Sequence, residues 1–365
     1  MPFFAVIALV AYQILLIFVH LALYATVAAA FGIGGPVTAV VFMVLAVSFV
    51  VMSVSVFKSG NRFVAMAYAA SAYWFGLSHF LFSGGVAYFF AATFLYGRNI
   101  YIAPSIIGGI SFGTFFLVHL YGTWNSGRAE ITEISVAIPN LPASWRGKKA
   151  VFVSDLHLGA VHGARFAAKV AMKVQALAPE AIFIGGDMYD GVKCDPDKLI
   201  EPLRPLRAPL GVYFITGNHD EFQDAEKFLR AIRDIGIRVL DNEKVDCGGM
   251  QLVGVDYKAV YRKEDFERIL KTINVDRKTP SIILKHEPSN LDVPEKAGFS
   301  LTLAGHTHRG QIFPLFLFTR KIYKGFDYGL KRLGNMQVMT SSGVGTWGPP
   351  LRIGTKSEIV LIKFV

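Results

Sequence analysis

No aspartate or glutamate occurs among the first 124 residues, and only Lys58, Arg62 and Arg98 carry fixed positive charge there. A water-soluble domain draws about a quarter of its residues from the charged types, so this stretch is not one. All 27 acidic residues and the rest of the 37 basic ones fall in the remaining part of the 365-residue chain. Cysteine is nearly absent: Cys194 and Cys247 cannot form a thiolate metal cluster, and they fit a reducing compartment. A phosphate-cradling P-loop is missing as well, since GIGGP at 32–36 only links two apolar runs. The net charge of +10 is spread among acidic residues, without zinc-finger spacing or a ladder of basic and aromatic side chains. That argues against nucleic acid and suits an anionic lipid surface or a phosphate-bearing substrate.

What the first part does contain is apolar sequence. Runs over 3–31, 36–57, 63–95 and 100–122 each reach the roughly 20 residues that a bilayer-crossing helix requires. The first run lacks a basic leader and more runs follow it, so it reads as a retained helix and not a cleaved signal. The third is long, and Gly84 and Gly85 are expected to break or kink it. Lys58 and Arg62 lie between runs two and three, and Arg128, Arg146, Lys148 and Lys149 follow run four. The positive-inside rule therefore puts these loops, and the polar part of the chain, on the cytoplasmic side. His20, His79 and His119 fall inside the runs, where hydrogen bonding between helices is the expected role. The expected division is a transmembrane domain over 1–124 and a soluble domain over 130–365.

In the polar part, short β-branched and aromatic runs alternate with helical patterns, which predicts an α/β fold with buried strands. Five of the runs end alike: AVFVSDLH at 150–157, AIFIGGD at 181–187, VYFITGNHD at 212–220, IILKHE at 282–287 and LTLAGHTH at 301–308. Each delivers Asp, Asn or His at its carboxyl end, where α/β sheets place their ligand sites. Side chains two apart in extended backbone share a face, so Asp155 with His157, and His306 with His308, are each expected to point into one cavity. Mixed carboxylate and imidazole donors suit Mn, Fe or Zn, and seven of them are too many for one tetrahedral ion.

Those five blocks resemble the calcineurin-like metallophosphoesterases: Asp155-Leu156-His157, Gly186-Asp187-Met188-Tyr189-Asp190, Gly217-Asn218-His219-Asp220, His286, and Gly305-His306-Thr307-His308. The resemblance implies a four-layer sandwich, two mixed β-sheets flanked by helices, following an all-α four-helix transmembrane bundle. It implies two divalent ions (Mn²⁺, Fe²⁺/³⁺ or Zn²⁺), one held by Asp155, His157 and His308, the other by Asn218, His286 and His306, with Asp187 between them. His219 becomes the candidate for protonating the leaving oxygen, with Asp220 orienting its ring, while Asp190 is expected to support a ligand or cap a helix.

The stretch GHTHRGQIFP and the glycine-rich ending are similar to membrane-anchored bacterial hydrolases of UDP-2,3-diacylglucosamine and related phosphodiesterases. Arg309 departs from the Gly expected at its position. After it, residues 312–332 mix apolar and basic side chains, and Arg309, Phe316, Phe318, Arg320 and Lys321 are candidate substrate contacts at a membrane interface. The expected function is metal-dependent cleavage of a phosphodiester or pyrophosphate bond at the membrane, with a lipid-linked substrate. The alternatives are a tethered phosphatase for soluble nucleotides or phosphoproteins, and a non-catalytic membrane sensor or transport component. The sequence leaves the oligomeric state open.

Overall fold

The computed structural model describes residues 3–222 and 224–365. Its chain divides into two compact units, one running up to Trp124 and including Gly348–Leu351, the other formed by Asn125–Trp347 and Arg352–Val365.

The first unit is helical: α1 (Phe3–Phe31), α2 (Pro36–Lys58), α3 (Arg62–Gly97) and α4 (Pro104–Ser126). All four are long and apolar enough to cross a membrane. In a bilayer every backbone polar group needs an internal partner, which is why such sequences stay helical from end to end. The expected break in the third run is corrected by the structure, because α3 passes through Gly84 and Gly85 uninterrupted for 36 residues. Both glycines serve close packing instead. A Cβ on Gly84 would come within 3.1 Å of the Phe112 backbone on α4, and one on Gly85 within 2.7 Å of Thr26 Oγ1 on α1. Small residues at such contacts let membrane helices approach. His20 has the interhelical role expected of it: its Nδ1–H donates to Leu16 O (2.8 Å) and its Nε2 accepts from Trp74 Nε1 on α3 (2.9 Å).

The described residues of the second unit form twelve strands: β1 (Ala129–Val136), β2 (Lys149–Val153), β3 (Ala181–Ile184), β4 (Val212–Phe214), β5 (Arg238–Val239), β6 (Glu243–Cys247), β7 (Met250–Gly254), β8 (Ser281–Leu284), β9 (Leu301–Ala304), β10 (Gly329–Leu333), β11 (Met336–Thr340) and β12 (Ser357–Phe364). They form two mixed six-stranded sheets, ordered β1-β12-β2-β3-β4-β5 and β10-β11-β9-β8-β7-β6. The helices beside them are α5 (Ala164–Ala176), α6 (Pro196–Ile200), α7 (Ala225–Asp234), α8 (Lys263–Ile273), α9 (Asp292–Ala297) and α10 (Phe316–Ile322).

Strand periodicity builds the layers. On β2 and β3, Val151, Val153, Ile182 and Ile184 face one way and pack with Val170, Val174, Phe228 and Ile232 of α5 and α7. Ala150, Phe152, Ala181 and Phe183 face the other way and meet Leu252, Ile282, Leu284 and Leu303 of the second sheet. That sheet's outer face, with Val253 and Ile283, is covered by Phe266 and Leu270 of α8 and Val293 of α9. Because side chains alternate with a period of two, one strand supplies both an inter-sheet core and a helix-facing core. The result is the four-layer sandwich. Within each sheet the central strands run parallel, β2 to β5 in the first and β7, β8, β9 and β11 in the second. The carboxyl ends of β2, β3, β4, β8 and β9 supply the loops that follow. Cys194 and Cys247 are free thiols.

Candidate metal centre

Each of the five strands ends two to four residues before its candidate donors. Beyond Val153 the chain turns so that Asp155 (φ 56°) and His157 (φ 48°) adopt left-handed backbone, as do Asp187 (φ 51°), His306 (φ 69°) and His308 (φ 47°). Left-handed conformation disfavours residues with a Cβ, by about 1–2 kcal/mol each, and such strain persists only where surroundings enforce it. Here backbone hydrogen bonds do so: Asp155 N–H donates to Gly186 O and His157 N–H to Asp187 O, both at 3.0 Å, while Gly345 N–H donates to Asp155 O at 2.8 Å. Gly186 (φ 90°) has no room for a side chain, since a Cβ would stand 2.7 Å from His286 Nδ1.

Two donor groups result, Asp155 with His157 and His308, and Asp187 with His286 and His306; within each, one donor atom per residue lies within 4.8 Å of the others. The backbone at the second pair is left-handed and not extended as expected. His306 and His308 go to different groups, because β9 ends at Ala304 and a strand's period no longer governs the turn. The two imidazole pairs converge nitrogen to nitrogen, His157 Nε2 to His308 Nε2 at 3.1 Å and His286 Nε2 to His306 Nδ1 at 3.2 Å. Nitrogens each about 2.0–2.1 Å from one shared ion would lie roughly 3–3.4 Å apart. Asp187 sits between the groups: its Oδ2 is 3.1 Å from His286 Nε2 and 3.7 Å from His157 Nε2, and its Oδ1 accepts from His219 N–H at 2.9 Å.

The rings are held from behind. His286 Nδ1–H donates to Gly185 O (2.7 Å), which leaves Nε2 as the inward lone pair. His157 Nδ1 faces Asp190 Oδ1 at 3.4 Å. His308 differs, with the buried Arg352 guanidinium 3.3 Å from its Nδ1. Burial first, then the charges of His157 and Arg352, hold the His308 pKa well below its ordinary value, in the neutral form that a cation requires. Asn218 Oδ1 is solvent-inaccessible and has no hydrogen-bond partner among the described residues. A buried orphan acceptor beside carboxylates and imidazoles is what a missing cation would satisfy, so the residues fit a divalent metal.

The charges of the cluster act strongly on one another. Burial alone would lower the His286 pKa, but the charge and hydrogen bond of Asp187, with Asp155 and the Gly185 carbonyl, push it up to about 10. Burial likewise acts to raise Asp187, and His286, His157 and His219 together outweigh it, so Asp187 stays well below the usual carboxylate range. Burial raises Asp155, and burial followed by the charge of His286 lowers His306 to about 3.

His219 lies against this cluster, its ring edge-on to His157 (centroids 4.8 Å apart, 85°), and can also join His157 and Asp187 as a donor group. Its orienting partner is not the expected one. His219 Nδ1 pairs with the backbone O of Asp190 at 3.2 Å, whereas Asp220 accepts from Tyr189 N–H (3.1 Å) and Gly217 N–H (2.8 Å) and braces the loops. Burial, then the charge of Asp187, pushes the Asp220 carboxyl up to about 7. Arg309 is not brought into the cluster either, since its guanidinium stacks over the Tyr328 ring at 4.3 Å. Phe316, Phe318, Arg320 and Lys321 lie on α10 at the rim, where Tyr323, just after the helix, stands 6.3 Å from the His306 ring.

Sequence reading missed Arg352, Gly343 and the aromatic surround. Arg352 donates to Ser342 O (2.7 Å) and Gly345 O (2.6 Å), pinning the loop behind Asp155, and Gly343 (φ 77°) passes where a Cβ would stand 2.7 Å from Asp155 Cβ. The glycine spacing in SSGVG was the available signal. Phe222 and Trp347 flank His219 at centroid distances of 4.9 and 6.1 Å.

Residues 148–310 match the family model described as calcineurin-like phosphoesterase. An uncharacterized metallophosphoesterase of Campylobacter jejuni is 34% identical over 238 residues, which is 64% of this chain and 63% of that protein. One from Helicobacter pylori strain J99 is 31% identical over 262 residues, 69% of each chain. The zebrafish protein called transmembrane protein with metallophosphoesterase domain is 30% identical over 261 residues, 67% of this chain and 59% of its own. The chain thus spans between about three fifths and seven tenths of these relatives.

Proposed function

Because the chain belongs to the calcineurin-like metallophosphoesterases, we propose that this membrane-associated hydrolase cleaves a phosphodiester or pyrophosphate bond at the membrane surface, in a lipid-linked substrate of the kind represented by UDP-2,3-diacylglucosamine. The observation that carries the hydrolase reading is the pair of donor groups with Asp187 between them. Asp155, His157 and His308 would hold one divalent ion, Asn218, His286 and His306 the other, and Asp187 would reach both. Two such ions lower the pKa of water from about 15.7 toward 7 and neutralise charge on phosphoryl oxygens. Mn, Fe and Zn all suit the donors.

The protein's own contribution is placement. Asp190 and the Gly185 carbonyl fix two imidazoles, the His306 backbone N–H donates to Asp155 Oδ1 at 3.0 Å, and His219 stands beside the cluster to give a proton to the departing oxygen. The exposed apolar α10 at the rim supports a substrate carrying acyl chains. A cytoplasmic catalytic unit is supported by Lys58, Arg62 and the basic residues after α4, and a bacterial inner membrane by the relatives from Campylobacter jejuni and Helicobacter pylori.

The test is a substrate panel on the full chain in detergent with Mn²⁺: bis-p-nitrophenyl phosphate, UDP-2,3-diacylglucosamine, phospholipids and soluble nucleotides. Chelator-sensitive turnover of the first is expected, with kcat/KM at least about 10-fold higher for an acylated substrate than for a soluble nucleotide. A preference for soluble nucleotides would overturn the lipid assignment.

Metal binding should also release protons. His286, raised to about 10, is protonated at pH 7 in the metal-free protein, and only its neutral form binds a cation. Apparent Mn²⁺ affinity therefore rises with pH through the neutral range, about tenfold per unit for one displaced proton. Titration calorimetry in two buffers of different ionisation heat reads the proton count, and a count of zero would contradict this charge assignment.

A further inference from the structure

Helix α10 is built inside out. Its half-buried positions, Phe316, Thr319 and Tyr323 just beyond its end, recur at helical spacing and turn inward, and Thr319 Oγ1 donates to Asp327 Oδ2 at 3.3 Å. The opposite face presents Leu317, Phe318 and Ile322, exposed by 55, 62 and 67%. Phe313 and Leu315 extend the patch from the preceding loop, exposed by 61 and 47%. None of the helix's residues is fully buried. Soluble surfaces do not keep contiguous large apolar side chains in water without an occupant.

The geometry points to an anionic lipid surface as that occupant, with Leu317, Phe318 and Ile322 seated among the acyl chains. Two observations select lipid. Arg320 and Lys324 flank the apolar face, Lys321 lies within it, and all three are exposed, so the patch carries positive charge for phosphate headgroups, and long basic side chains can keep their heads at that level while their stems lie along the apolar groups. The same chain also has four helices able to cross a membrane, which keeps a bilayer within reach. A second copy of this face is a poor fit, because Lys321 lies between Leu317 and Ile322 and a twofold contact would oppose like charges. Seated in this way, α10 would bring the lipid surface to the rim of the metal centre, because Tyr323 adjoins His306 and the start of the helix packs on Gly310, where a Cβ would lie 2.5 Å from Phe316 N.

The inference goes beyond the hydrolase reading and is tested without metal or substrate, so each can fail alone. Cysteines are placed singly at 317, 318 and 322, and at the 67% exposed Met172 of α5 as the aqueous control, in the full chain carrying Cys194→Ala and Cys247→Ala. Nitroxide labels are read in vesicles of phosphatidylcholine with phosphatidylglycerol, using oxygen and a water-soluble nickel chelate as relaxants. Labels on α10 are expected to gain oxygen accessibility and lose nickel accessibility relative to 172. All three resembling 172 would overturn the proposal, and so would loss of access to both relaxants, which marks a protein contact. Replacing Arg320, Lys321 and Lys324 with Gln should make the labels shallower, and an unchanged depth would overturn the choice of an anionic surface. Three label sites keep the result readable if one variant fails to fold.

Discussion

Asp187→Asn is expected to reduce kcat/KM by more than about a thousandfold, some 4 kcal/mol of barrier, and to strip both divalent ions from the purified protein. The reason is position. Asp187 Oδ2 lies 3.1 Å from His286 Nε2 and 3.7 Å from His157 Nε2, one from each donor group, whereas Asp155 Oδ1 is 3.7 Å from His308 Nε2 and only reaches 4.0 Å from His286 Nε2. The amide retains the oxygen that accepts from His219 N–H, so loop geometry survives while the negative charge is lost. His286 then loses its largest charge partner and becomes neutral more readily, which removes the proton competitor but also the anionic anchor. Metal analysis beside turnover measures both effects. A variant that keeps both ions and wild-type turnover would show that Asp187 is not shared.

The donors were legible because two independent patterns coincide at them. The strand runs carry the β-branched and aromatic alternation that buried strands need, and the polar residue after each run has no packing reason to be there. From this an α/β fold with buried strands, the five loops and their seven candidate donors could be read, with the family resemblance supplying the sandwich and the pairing. What failed is instructive in physical terms. The rule of two assumes extended backbone, but β2 ends at Val153 and β9 at Ala304, so Asp155, His157, His306 and His308 lie on left-handed turns whose directions long-range hydrogen bonds decide. Gly84 and Gly85 misled for a related reason. Glycine weakens a helix in water, but in an apolar segment the helix is the only satisfied backbone, and the missing Cβ becomes room for Phe112 and Thr26.

Asp220 shows the same limit at one residue. Its place beside His219 suggested an orienting carboxylate, yet within the single turn His219–Glu221 its side chain points back to the loop amides it can satisfy, here Gly217 and Tyr189. Arg352, 44 residues after His308, carries no local signal at all, and only the folded chain brings its guanidinium to the loop behind Asp155.

His219→Gln is expected to separate proton donation from metal binding. For a substrate with a poor alkoxide leaving group kcat should fall by about 10²–10⁴, the usual worth of a positioned acid. For a p-nitrophenyl ester, whose departing phenolate needs no proton, the fall should be less than about 10-fold. The structure motivates the asymmetry: Nδ1 is engaged by the Asp190 carbonyl, so Nε2 is the nitrogen left to serve the substrate, and the ring is clamped between His157 and Phe222. Burial, then the charge of His157, lowers its pKa below the ordinary 6.5. Two outcomes would reassign it. Equal losses on both esters would make His219 an electrostatic stabiliser of the phosphoryl group, and loss of bound metal would make it a ligand alongside His157 and Asp187.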